Sequence, residues 1–423
     1  MATLDDDVRL LESNWWMSYP HDVYARLRNE APVYWSPRDE LWAISKYDDI
    51  RYVSKHPELF ANGYHIYVAF AGIGDDGCPN DNGSTMPRRA ELRRQQVVGN
   101  SGADSLVMAD GERHRFLRKL ASYAFTPKAV DQLEEQVKVI ASELFDEIPD
   151  EVEVDFIDTV AAPLPMIMIA LMLGVPRDDL HRFRAWSDAF IEFGDEETRE
   201  GPGFEARVEL VGEFQEYFAS ALAERATRPR DDLLTQLATA EWRGQPLSLE
   251  DQLAMTHVLL TAGNETTRGL LAGAGQVMAE QPDQRQILIE SPDLIPTAVE
   301  EFLRYVTPVT HMCRTALEDT ELRGRQIRRG DFLCLLYAAG NRDEEVWERA
   351  DELDVTRKPD PAHVAFGFAE HFCLGASLAR REIRIVLAEL LHRFPNYEIV
   401  GPARRTQQHM TPGLKQLPVV FHR

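Results

Sequence analysis

Four cysteines in 423 residues, Cys78, Cys313, Cys334 and Cys373, are too few and too irregularly spaced for a disulfide framework or a zinc pattern. Each must act without another cysteine as a sequence neighbour, which suits a reducing cytosol. Positive charge is also scarce: 46 Lys and Arg stand against 70 Asp and Glu, a formal net charge of −24. A phosphate backbone would be repelled, so no nucleic-acid partner is expected. Long apolar runs are missing too. The longest, Ala162 to Val175, contains a proline and is shorter than a bilayer span. The opening "MATLDDDVRLLESNWW" has acids where a secretory leader would carry lysine and arginine. A soluble, cytoplasmic protein without a membrane span is expected. No Gly/Ser or Pro-rich linker and no internal repeat divides the chain, so residues 1–423 are read as one domain.

The hydrophobic content, 44%, is enough to build a large core and to enclose a cofactor away from water. A helix is expected near Pro20 to Asn29, then short strands at "PVYW" and "LWAISKY". From Ala61 to Asp104 the chain is rich in Gly, Asp, Asn and Arg and reads as a long functional or disordered loop. Helical patterns then dominate to about Phe302, broken by "DEVEVDF". Short strands and turns return between Arg314 and Arg357, followed by a last helix and a hairpin candidate at "TPGLKQLPVVF". The expected fold class is mostly α, with small β-sheets (α+β).

Four stretches carry chemistry. In "SLEDQLAMTHVLLTAGNETTRGLLAGAGQVMAEQP", Ser248 and Asp251 form a capping start and Gln281-Pro282 a stop, giving a core helix of about 32 residues and roughly 48 Å. Mid-helix stands Gly263, which costs about 1 kcal/mol against alanine, beside Glu265 and Thr266. Either something lies against that glycine, or it is a packing position with threonines bonded back to carbonyls. In "PTAVEEFLRYVTPV", Glu301 and Arg304 share a helix face that Pro308 ends; alone, the pair reads as a surface ion pair. In "DGERHRFLRKLASYAF", His114 and Arg118 point the same way, a solvated basic face unless an anion lies opposite. In "HVAFGFAEHFCLGASLAR", Cys373 follows a turn and opens a helix, where unsatisfied N–H groups favour thiolate. Metal ligand, nucleophile and buried filler all remain open for it on these residues alone, although no local signature supplies the base a nucleophile needs.

Together these residues resemble the cytochrome P450 family, in order and over nearly the whole chain. The family's haem loop, Phe-Gly-x-Gly-x-His/Arg-x-Cys-x-Gly, is matched by Phe366, Gly367, His371, Cys373 and Gly375, with Ala369 in place of the second glycine. The resemblance implies haem b with Cys373 as its axial thiolate, the general haem-thiolate arrangement. It implies that His114, Arg118, Arg314 and His371 bind the haem propionates, and that Glu301, Arg304 and Arg357 form a structural ion network, with Leu353 where phenylalanine is usual. It further implies that Ala262 and Gly263 adjoin the cofactor, Gly263 letting oxygen and substrate approach. Glu265 and Thr266 match the acid–alcohol pair that relays protons to oxygen. A peroxide-driven variant of the scaffold, or a non-enzymatic haem sensor, would not need that pair.

The implied activity is a haem monooxygenase that hydroxylates a C–H bond with O2 and electrons from a ferredoxin and an NAD(P)H-dependent ferredoxin reductase. "PVTHMCRTALEDTELRG" and the Cys373 loop are most similar to the actinobacterial branch that hydroxylates the terminal carbon of steroid side chains. That puts a steroid or terpenoid first and a fatty acid second. Pocket candidates by position are Leu259, Thr261, Ala262, Val309 and His311. Arg88, Arg89, Arg93 and Arg94 form a basic cluster that either grips an acidic substrate group or is solvated. Arg113, Arg115, Lys119, Arg380 and Arg381 are candidates for the ferredoxin-docking patch.

Overall fold

The computed structural model describes residues 3–62, 66, 68, 105–198 and 203–422. The Arg88, Arg89, Arg93 and Arg94 cluster, Cys78 and nearly all of the loop from Ala61 to Asp104 lie outside the described residues. The helices of eight or more residues are α1 His21–Glu30, α2 Tyr47–Lys55, α3 Gly111–Ser122, α4 Pro127–Asp146, α5 Pro163–Met172, α6 Leu180–Gly194, α7 Phe204–Thr227, α8 Leu249–Glu280, α9 Pro282–Glu290, α10 Ile295–Val306 and α11 Ala376–Arg393.

Helix α8 runs its expected 32 residues. Ser248 Oγ accepts the Asp251 N–H at 3.1 Å, and Pro282 starts α9 at the other end. It packs on α5, α6, α10 and α11. Helix α5, "PLPMIMIALM", has apolar residues on every face and is accordingly buried. At Gly275 a side chain would collide with the Phe156 ring, so a glycine lets this aromatic reach the α8 backbone. The Tyr397 hydroxyl donates to Gly275 O at 2.7 Å from the same region. One core joins α4, α8, α10 and α11 through Phe145, Leu270, Phe302 and Leu387; a second joins α6 and α7 to α8 through Trp186, Phe214, Phe218 and Leu260.

The strands are β1 Val33–Ser36, β2 Leu41–Ile44, β3 Phe60–Ala61, β4 Glu153–Asp155, β5 Met312–Ala316, β6 Phe332–Leu335, β7 Asn396–Ile399 and β8 Pro418–His422, with shorter ribbons besides. A five-stranded sheet has the order β1-β2-β6-β5-β3, with only β2 and β6 parallel. The C-terminal hairpin expected at "TPGLKQLPVVF" does not form. Leu414–Gln416 pairs with Arg404–Arg405, whereas β8 lies between β7 and β4. Pro418 begins β8 next to Leu417, whose N–H and C=O bond to Asp155 and Phe156 instead of closing a turn. "DEVEVDF" thus supplies a partner strand from 260 residues earlier in the chain, which local patterning could not reveal.

Candidate active site

Cys373 ends a tight loop. Gly367 (φ +70°) and Ala369 (φ +59°) both take left-handed backbone angles, and the Cys373 N–H donates to Phe366 O at 2.8 Å. The alanine keeps the angle that a glycine would hold without strain. So closed, the loop delivers the sulfur just ahead of α11. Burial pushes the thiol up, while the Gly375 and Ala376 N–H groups and the Arg118 and Arg380 guanidinium groups pull it back. None of those four is a base. They are groups that stabilise a thiolate once a cation binds the sulfur.

Helix α3 and the Cys373 loop place His114 and His371 with ring centroids 4.2 Å apart. Both His114 ring nitrogens and His371 Nε2 are buried without a hydrogen-bond partner. Burial holds His114 down at about 4, so that ring is neutral at pH 7, and burial also lowers His371. His371 Nε2 lies 3.6 Å from Asp110 Oδ1. Among the described residues neither Arg118 nor Arg314 has a carboxylate partner. Arg314 is 3% exposed and donates to its neighbour's carbonyl, Cys313 O, at 2.8 Å. An unsatisfied buried polar atom costs about 1–3 kcal/mol. Three such ring nitrogens beside unpaired guanidinium groups therefore suit a bound anionic group, and the two carboxylates of haem match them in charge and number.

On α8, Thr266 Oγ1 donates to Ala262 O at 2.7 Å, and Ala262 is exposed although the residues on either side of it along the helix are buried or half-buried. Burial raises Glu265, moderated by Thr411, Arg268 and Gln408. The neighbour nearest Gly263 is Ile169 of α5, 3.4 Å from where a Cβ would stand. That is ordinary van der Waals contact, so packing against α5 does not by itself require a glycine here.

The pocket candidates scatter. Thr261 Oγ1 donates back to His257 O at 3.0 Å, Leu259 belongs to the α6–α7 core, and Val309 packs against the cluster beside the sheet. His311 is fully buried and stacked on Trp16, with ring centroids 4.0 Å apart. Its ligand atom lies within 4.8 Å of the Cys313 and Cys334 sulfurs. His311 and Cys313 are two apart, so they face the same side of their extended segment, toward the N-terminal core. That alternation was the available signal.

The surface ion pair becomes a buried network. Arg304 Nε and Nη2 each meet Glu301 at 2.8 Å, and the guanidinium also donates to the Asn341, Ala350 and Glu352 carbonyls. Arg357 Nε reaches Glu301 Oε1 at 3.1 Å. Both side chains of the first pair are nearly inaccessible, at 2% and 1% exposure. The network ties α10 to the segment before the Cys373 loop.

Next to Cys373 a cavity of about 620 Å³ is lined by Arg118, Phe372, Arg380, Arg381 and Arg384 among others. Its cations are partly neutralised: Arg380 pairs with Glu300, Arg381 with Asp131 and Glu134, and Arg384 with Glu134 at 3.4 Å. Arg113 turns away to Asp251 at 2.8 Å and stacks on Trp242, leaving Arg115 and Lys119 exposed on α3.

Fold and site together define a helical haem-thiolate monooxygenase. The cytochrome P450 family model matches residues 203–411. The chain is 36% identical over 405 residues to linalool 8-monooxygenase of Pseudomonas putida, covering 95% of each. It is 35% identical to the methyl-branched lipid omega-hydroxylase of Mycobacterium tuberculosis, over 99% of this chain and 92% of that one. A crystal structure of a P450 from Novosphingobium aromaticivorans superposes with a TM-score of 0.80 at 32% identity, covering 99% and 98%. The chain belongs to the cytochrome P450 family, whose members bind haem b through a cysteine thiolate. It is a monooxygenase acting on hydrophobic substrates with O2. No described helix is long and apolar enough to cross a membrane.

Proposed function

We propose that the chain hydroxylates a terpenoid or methyl-branched lipid chain, with Cys373 as the thiolate ligand of haem iron. The observation that carries the substrate class is the 36% identity to linalool 8-monooxygenase over 95% of both chains. The methyl-branched lipid omega-hydroxylase points to the same kind of flexible, branched hydrocarbon. The steroid side chain expected from the sequence is kept as the alternative, because neither of these two relatives is named for a steroid.

Haem, when bound, supplies the oxygen chemistry, and the chain's own residues place and feed it. Cys373 would hold the iron, with its charge stabilised by the Gly375 and Ala376 N–H groups. His114, Arg118, Arg314 and His371 would clamp the propionates. Glu265, buried, is the proton donor of the relay, and Thr266 passes the proton on from the exposed face of α8. A ferredoxin reduced by its NAD(P)H-dependent reductase would dock over the cavity beside Cys373, drawn by the exposed Arg115 and Lys119.

Titrating the purified ferric protein with linalool, a methyl-branched fatty acid and cholest-4-en-3-one, while following the Soret band, tests the substrate class. A saturable high-spin shift with either of the first two supports it; a shift with the steroid alone overturns it. Thr266→Ala is expected to release peroxide in place of product, measured as product formed per NADH consumed. Undiminished coupling would remove Thr266 from the relay.

A further inference from the structure

Residues from the far end of the chain reach the relay acid. Thr411 Oγ1 lies 2.7 Å from Glu265 Oε1 and 2.5 Å from Gln408 Oε1. Gln408 Nε2 donates to Ile191 O on α6 at 2.9 Å, which fixes the amide so that its oxygen, an acceptor only, faces Thr411. A hydroxyl has one proton and cannot donate to two acceptors at once. With Glu265 ionised, one of the two short contacts would set lone pair against lone pair. With Glu265 protonated, its O–H donates to Thr411 and Thr411 donates to Gln408, so both contacts are bonds. The loop itself is firmly held: Thr406 Oγ1 donates to Thr411 O at 3.1 Å, Tyr19 donates to Pro412 O at 3.2 Å, and His409 Nε2 meets Leu11 O at 3.1 Å.

We propose that Thr411 and Gln408 are positioning residues that latch the protonated Glu265 side chain against the 406–413 loop, setting where the relay's proton is stored between turnovers. The latch deepens the acid–alcohol reading of Glu265 and Thr266 and rests on it. The charged group facing this carboxyl is Arg268 on α8, whose guanidinium lies 4.0 Å from Asp188 on α6; both latch partners are uncharged. Neither Thr411 nor Gln408 is on α8, so the acid's orientation is set by a loop outside the helix that carries it. Losing that orientation is expected to slow product formation about tenfold to a hundredfold without a matching change in KM.

The direct test is infrared difference spectroscopy of the ferric protein between mildly acidic and alkaline pH, which needs no turnover. A carboxylic C=O band absent from Glu265→Gln belongs to Glu265. That band is expected to move in Thr411→Val and in Gln408→Leu and to stay in Thr411→Ser, which keeps the hydroxyl. A band unmoved in both Thr411→Val and Gln408→Leu, or no band attributable to Glu265, overturns the latch. Either folded variant suffices should the other fail to fold. The underlying reading fails separately: full coupling of NADH to product in Glu265→Gln would remove Glu265 from the relay whatever the spectra show.

Discussion

Ala369 holds a left-handed angle that costs an L-residue with a Cβ roughly 1–2 kcal/mol, and it does so in the loop that aims Cys373. Ala369→Gly should therefore stabilise the protein by about 0.5–1 kcal/mol, net of the extra freedom glycine gives the unfolded chain. Urea midpoints with an unchanged m-value check this; no stabilisation would mean that the alanine packs well enough to offset its strain. Glu382 on α11 is the opposite kind of residue, a carboxyl pushed up to about 8 by burial alone. Between its ordinary value near 4.5 and about 8 the folded state keeps a proton that the unfolded state releases. Stability attributable to this group is thus complete below the lower value and falls as pH rises through that window, by about 1.4 kcal/mol per pH unit at most. Glu382→Gln should flatten the decline and be more stable than the parent at neutral pH, as denaturation at several pH values will show.

At the scale of elements, α10 is held by its apolar face in the core and also by what its two charged residues bind. Arg304 spends its donors on Glu301 and on three carbonyls of the 341–352 segment, and Glu301 also receives Arg357 and the Asp354 N–H. Every member is satisfied, so the cost of burying the charges is met by geometry. Removing one partner leaves the others stranded. Glu301→Gln should cost about 3–5 kcal/mol, read as a lower urea midpoint, and should weaken haem retention because the segment leading to Cys373 loses its anchor. A loss below about 1 kcal/mol would return the pair to the surface category that its i,i+3 spacing alone suggested.

The whole molecule combines a net charge of −24 with a concentration of cations around one sulfur. Much of that concentration is spent internally, on Glu300, Asp131 and Glu134, which leaves a modest net attraction for an acidic partner. Ferredoxin-dependent reduction should accordingly slow as ionic strength rises, and Lys119→Ala with Arg115→Ala should weaken the salt dependence. Arg113→Ala should leave it unchanged, because Arg113 is engaged with Asp251 and Trp242. A flat salt profile for the parent, from stopped-flow reduction, would move the docking surface elsewhere.

Locally encoded features were legible in the chain: the span of α8 from its cap and proline stop, the turn before Cys373, and the end of α10 at Pro308. They depend on neighbours in sequence, through capping groups, fixed proline angles and side-chain periodicity. The family, too, was legible, because its motifs are short and ordered. What tertiary structure alone decided are the long-range outcomes. Glu301 and Arg304 are buried because a segment 40 to 50 residues later supplies their partners. His311 faces Trp16 because of how β5 packs on the N-terminal core. β8 pairs across the sheet rather than with its neighbour, and Glu265 meets a hydroxyl 146 residues away. Spacing along a chain fixes which side chains share a face, and only packing fixes what that face meets.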